Sequence, residues 1–249
     1  MPDSSPRRLP RGRYALSREE VERIQRTRLC TAMAEAMTEK GYVGTSVEDV
    51  LKRAVVSRQS FYQLFDSKLD CFMTAFAGAG DLLLRRVLES VGVDEATGQA
   101  RLEGSPLERF ERAVTAYLDV LATELPFARL FLVEVYAAGP DAIRRRSEVQ
   151  VTLTNALADL LEVTGEAGRF TCQVIIAAVS AMVTPLVAAG DVDGLRAIGP
   201  PMIDHVRRLW ESGTFGTPQP AGCETQTAGG TRQAIGEPPG SSKPKIHPE

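Results

Sequence analysis

Apolar residues recur at three- and four-residue intervals along most of this chain, and no segment alternates convincingly with the two-residue rhythm of a strand. Ser17 and Glu20 form a capping box that opens a first helix near Arg18, with Val21, Ile24, Leu29, Ala32, Met33 and Ala36 turned toward a core. Thr45 and Glu48 form a second box. It predicts a helix opening at Ser46 with Val47, Val50, Leu51 and Ala54 on its apolar face. Val55 and Val56 make a short connection to Ser57, an N-cap for a helix whose Phe61, Leu64 and Phe65 share one side. The other side carries Arg58, Gln59, Ser60 and Gln63, and Asp66, Ser67 and Asp70 then end that helix and cap the next.

The remaining pattern is helical as well. The helix opened by Ser67 continues through Cys71, Phe72, Ala75 and Phe76 toward Val91, with Gly78 and Gly80 expected to weaken or bend it midway. Ser105, Pro106 and Glu108 start another, followed by Phe110, Ala113, Val114, Tyr117, Leu118 and Leu121. Pro126 begins the next element. Pro140 and Asp141 begin a long one that carries Val149, Leu153, Leu157 and Leu160 and ends before Gly165. Between Val174 and Val187 the run from Glu166 to Ala189 is apolar nearly all round, and a last helix holds Met202, Ile203, Val206, Leu209 and Trp210. A helix that is apolar on every side must be covered on every side. The expected cover is a second copy of the chain, packed through the last two helices at about 167–212; the alternative is the interior of the monomer. The seven Gly and six Pro among residues 213–249 predict a disordered tail.

Charge and composition narrow the reading. Residues 1–65 hold twelve Arg or Lys against eight Asp or Glu, while the 249-residue chain as a whole carries −3. A basic head on an acidic body suits DNA at one end only. Much of the excess lies before the first helix, where Arg7, Arg8, Arg11, Arg13 and Arg18 stand among prolines, so residues 1–17 are expected to be a disordered basic arm. Arg11 and Arg13 are its candidates for minor-groove insertion; the plainer alternative is a solvated tail. No apolar run reaches the roughly 18 residues of a membrane span, and Met1 is followed by Pro and Arg rather than a leader's apolar region. Cys30, Cys71, Cys172 and Cys223 are scattered without metal-type or disulfide spacing, which suits a reducing cytoplasm and small buried hydrophobes. Catalysis finds little support: the two histidines, His205 and His247, lie in no catalytic or metal-ligand spacing, and no metal or cofactor is expected.

Two short helices joined by a tight turn match helix-turn-helix geometry, in which the start of the second helix reaches base edges. The segments Glu39–Tyr42, Thr45–Val50, Val56–Tyr62 and Phe65–Phe72 together resemble the DNA-binding domain of the TetR family of transcriptional repressors, over about Arg23 to Ala77. One departure stands out: that family usually has Gly in the turn where this chain has Val55, and a β-branched residue resists positive φ. Either the turn avoids positive φ or it is strained.

The resemblance implies an all-α protein: an N-terminal three-helix bundle with a helix-turn-helix, residues 18–66 with the motif at about 45–65, and a larger helical ligand-binding and dimerisation domain, residues 67–212. It implies a homodimeric repressor that binds a double-stranded DNA operator and is released by an unknown small-molecule effector. Carried over by position, Arg58, Gln59, Ser60 and Gln63 would face bases, and Thr45, Ser57, Tyr62 and Lys68 would hold phosphates. Phe110, Tyr117, Phe127, Phe131, Tyr136 and Met182 are candidates to line the effector's pocket, although aromatics at helical spacing also serve as plain core. Arg144, Arg145 and Arg146 are most simply a solvated face, with an acidic ligand as the sharper alternative. A ligand-dependent activator with the same reader, or a helical adaptor that binds protein, remains open.

Overall fold

Ser17 accepts the Glu20 N–H at 3.1 Å and Glu20 accepts the Ser17 N–H at 2.8 Å, so the capping box starts α1 where the sequence predicts, at Arg18. The computed structural model describes residues 17–94, 99–100 and 104–216. Helix α1 (Arg18–Gly44) buries Leu29, Ala32, Met33, Ala36 and Met37 and breaks its regular path at Gly41, whose φ of 67° suits a residue without Cβ. The expected second box is displaced by one residue. Thr45 serves as the C-cap of α1, its N–H and hydroxyl both donating to the Gly41 carbonyl, so Ser46 and Asp49 form the box and α2 runs Val47–Ala54.

Helix α3 (Arg58–Leu64) follows, capped by Ser57, and with α1 and α2 it closes a core around Val50, Phe61 and Phe65. Helix α4 (Lys68–Ser90) is one unbroken element in spite of Gly78 and Gly80. Two-residue strands β1 (Val93–Asp94) and β2 (Gln99–Ala100) pair antiparallel, with Val93 opposite Ala100. The body continues with α5 (Pro106–Thr123), α6 (Leu125–Leu132), a 3-10 turn (Glu134–Tyr136), α7 (Pro140–Leu160), α8 (Glu166–Ala189), α9 (Val192–Ala197) and α10 (Gly199–Glu211). The fold is all-α, with α4 against α5, α7 against α8, α6 joining α1, α4 and α8, and α9 and α10 on α5.

The body extends past residue 213, because Phe215 is only 3% exposed and packs on Trp210 with ring centres 5.7 Å apart. Its carbonyl oxygen lies 2.5 Å from where a Cβ on Gly168 would stand, so only Gly fits there. The interior of the monomer does not cover α8: only 22% of its apolar window is buried, and Phe170, Val174 and Met182 are exposed. By length and mean hydropathy alone that helix could also cross a membrane, although Glu166, Arg169, Gln173 and Ser180 keep it from being one continuous apolar run. Cys30, Cys71 and Cys172 are free thiols, as expected, and the neighbouring Cys30 on α1 together with burial raises the Cys71 thiol of α4.

Candidate functional site

The turn that aims α3 is built on strained backbone. Val55 has φ 54° and ψ 46°, the left-handed region, and its side chain is 60% exposed, so no burial accompanies the strain. For a β-branched residue that conformation costs about 1–2 kcal/mol. The turn nevertheless closes: the Val55 and Val56 N–H groups both donate to the Leu51 carbonyl, and Ser57 receives the Ser60 N–H at 3.0 Å.

Beyond the turn, Arg58, Gln59, Tyr62 and Gln63 stand exposed on α3 while Phe61 on the opposite side is fully buried. Ser60 is half-buried, and its hydroxyl lies 2.9 Å from that of Ser57. Of the residues expected to face bases, Arg58, Gln59 and Gln63 are thus exposed and Ser60 is not fully so. Arg58 has a partner the sequence did not suggest: its guanidinium donates to Glu48, in the first turn of α2, at 3.0 Å. Both side chains are exposed, so the pair is worth at most about 1 kcal/mol and exchanges readily for a base.

Two phosphate assignments change. Thr45 is 1% exposed and its hydroxyl is engaged at 2.7 Å with Gly41, so it serves the fold rather than a ligand. The Lys68 ammonium donates to the carbonyls of Tyr42 at 2.9 Å and Thr45 at 3.0 Å and lies 4.2 Å from the Tyr42 ring centre. It clamps the end of α1 to the start of α4, and partial burial lowers its pKa. Ser57 and Tyr62 keep exposed positions at the rim of α3. Arg11 and Arg13 lie outside the described residues.

The body holds the second site, an apolar cavity of about 150 Å³ between α4, α5, α7, α8 and α10. Phe110, Tyr117 and Phe131 line it as expected. Phe127 instead borders a separate recess of about 20 Å³, while Tyr136 and Met182 are exposed away from the main cavity because they face outward from the 3-10 turn and α8. Burial pushes the Tyr117 phenol up to about 12. Arg144 and Arg145 pair with Asp141 and Glu148 on the surface, as a solvated face should, but Arg146 does not belong to that face. It is 6% exposed and lines the cavity; its guanidinium donates to the Phe131 carbonyl at 3.2 Å and Ser180 Oγ at 2.7 Å and stacks 5.2 Å from the Tyr136 ring centre. A signal was present in the chain: Ala142, Arg146, Val149 and Leu153 follow helical spacing on one face, so one of three consecutive arginines had to point inward.

Glu134, likewise missed, links the two sites. It is buried, receives the Tyr42 N–H at 2.7 Å from the end of α1, and pairs with Arg129, whose other arm donates to the Ala188 carbonyl of α8. The adjoining Phe131 stacks on Phe76 of α4 with centres 4.7 Å apart. Reader and cavity wall thus share the α6 segment.

Comparison with known proteins agrees with this geometry. Residues 30–74 match the profile of the family described as bacterial regulatory proteins, tetR family. The HTH-type transcriptional activator FasR of Mycolicibacterium smegmatis is 24% identical over 137 residues, which is 55% of this chain, and the chain spans 58% of that relative's length. Among solved structures, the fold is similar to the transcriptional regulator FadR of Bacillus subtilis in complex with stearoyl-CoA (TM-score 0.60, 17% identity, 72% of this chain and 95% of that one). It is similar also to a transcriptional regulator from Rhodococcus sp. Rha1 (TM-score 0.57, 23% identity, 78% and 99% covered). The family's DNA-binding segment is thus matched in sequence over residues 30–74, and the fold is similar through the body to solved transcriptional regulators.

Proposed function

We propose that this chain is a cytoplasmic homodimeric repressor that binds an operator through α3 and is released when an apolar small molecule occupies the cavity of the body. The observation that carries the reading is the surface of α3, where Arg58, Gln59 and Gln63 stand exposed together on a helix fixed by buried Phe61. Arg suits paired contacts to guanine and Gln to adenine, each worth roughly 1–3 kcal/mol of discrimination. Ser60 completes the base-facing group, and Ser57 and Tyr62 take phosphates.

Dimerisation rests on α8. Phe170, Val174, Ala177, Ala178, Ala181 and Met182 form an exposed apolar stripe in which the small residues permit close approach of a second helix. A two-fold dimer then presents two copies of α3 to half-sites one helical turn or a multiple apart. The cavity is lined almost wholly by apolar groups, and the fold's likeness to a regulator in complex with stearoyl-CoA supports an apolar occupant. Occupancy would press on α6, and through Glu134 and Phe131 shift the end of α1 and the course of α4.

The relative described as an activator supports a second reading, activation from the same DNA-binding surface, which differs only in where the operator lies relative to the promoter. A purified chain titrated onto DNA from upstream of its own gene, with scrambled DNA as control and across a salt series, tests the DNA binding that both readings share. Selective, salt-sensitive binding of two chains per site is expected. Binding that ignores both sequence and salt would favour a helical adaptor for protein partners.

A further inference from the structure

We propose, resting on the reading of the cavity as the effector site, that its ligand is a small neutral molecule, the size of a benzene ring with one short substituent, which accepts a hydrogen bond from the Tyr117 hydroxyl. The cavity measures about 150 Å³. A dry apolar cavity of about that volume takes a molecule of benzene's size. Val114, Leu153, Leu157, Ile175 and Ile176 stand along its wall, so nearly all of the ligand's surface must be apolar as well. An anion is not suited to it. Arg146, the one charged residue of the lining, donates to the Phe131 carbonyl and Ser180 Oγ and lies over the Tyr136 ring. A carboxylate would exchange its water for an apolar wall with no donor left to receive it.

One polar group of the wall is left for the ligand. Arg146, Gln150 and Ser180 also border a second recess beside α8, where Tyr136 and Thr184 stand, and Tyr117 does not. Tyr117 keeps some accessible surface although its phenol is out of water, so that surface belongs to the cavity. Among the described residues its hydroxyl makes no hydrogen bond. A buried Tyr O–H ordinarily has a partner. A lone water is a poor one here, since it needs roughly two to four polar neighbours and the wall around it is apolar. Burial keeps the phenol protonated, the Arg146 charge offsetting that only in part, so at neutral pH it is a donor. A carbonyl or ether oxygen on an otherwise apolar ring completes it.

The test compares acetophenone with two molecules of the same size, α-methylstyrene, which has a methylene in place of the oxygen, and benzoate, which is charged. Each is titrated onto the full chain, wild type and Y117F, and read by thermal shift and by release of selectively bound DNA. Acetophenone should bind about fivefold more tightly than α-methylstyrene, the worth of one net hydrogen bond, and at least tenfold more tightly than benzoate. Y117F should bring acetophenone to the level of α-methylstyrene and leave α-methylstyrene unchanged, which also shows that the variant is folded. Should Y117F fail to fold, the wild-type preference decides alone. If α-methylstyrene or benzoate equals acetophenone, or Y117F keeps the preference, the proposal is overturned while the cavity remains an effector site. If acetophenone binds with the expected preference and the DNA stays bound, the ligand assignment stands and the effector reading falls. If none of the three binds, both fall.

Discussion

In the reader, Leu29, Met33, Met37, Val50, Phe61 and Phe65 meet one another with 2% exposure or less, while in the body Phe110, Tyr117 and Phe131 are arranged around a cavity of about 150 Å³. The same kinds of residue at the same helical spacing make a solid core in one place and a container in the other. What separates them is what the helices close upon. In the reader the short helices α2 and α3, tied by caps and ion pairs, fold back on α1, whereas α4, α5, α7 and α8 each span eighteen residues or more around the cavity. The body's other unfinished surface, α8, is likewise a consequence of long helices with more apolar faces than neighbours.

The contrast can be broken most forcefully at α8. Val174→Asp would bury an unpaired carboxylate in each half of a symmetric interface, so the dimer dissociation constant should rise by at least a hundredfold, about 3 kcal/mol. Sedimentation equilibrium checks this; an unchanged dimer would place the interface elsewhere.

Packing comes next. Met33→Ala in the solid core should cost about 2–5 kcal/mol in urea unfolding, whereas Leu153→Ala, already on the wall of a void, should cost about 1 kcal/mol, because the first leaves a new cavity and the second enlarges an old one. Equal costs would mean that the body's cavity collapses when empty. At the DNA surface, Arg58→Ala should relax preference at one base position by about 1–3 kcal/mol without loss of fold, measured by binding to single-substituted operators. A uniform loss over all sequences would remove Arg58 from base reading. The smallest effect is expected in the turn: Val55→Gly should raise stability by about 0.5–1 kcal/mol, relief of the left-handed strain exceeding the entropy that Gly adds to the unfolded chain. A loss of stability would show that the Val55 side chain contributes something its 60% exposure conceals.

Most of the reader was legible because caps are local. Ser17 with Glu20, Ser57 and Ser67 each announce a helix from within four residues, and all three open the element expected of them. At Thr45 and Ser46 two adjacent hydroxyls could both cap, and the choice depends on where α1 ends, at a Gly41 whose φ no spacing reveals. The departure at Val55 could be seen in the chain, but whether the turn strains or escapes could not. In the body the helices were legible and the site was only half so. Phe110 and Tyr117 were found by their spacing, while Met182 shares that spacing yet faces outward, since periodicity fixes a face and not which neighbour covers it. Arg146 was hidden by its company: two solvated arginines before it made a charged run look uniform. Glu134 was missed because its partner, the Tyr42 N–H, lies 92 residues away.

The uncovered stripe on α8 has a bearing on gene dosage. If one chain alone presents a single α3, its hold on DNA is weak, and operator occupancy rises more steeply than in proportion to the number of chains in the cell. A twofold change in expression would then move the regulated promoter by more than twofold. Where the protein controls its own gene, that steepness would sharpen the set point at which synthesis shuts itself off.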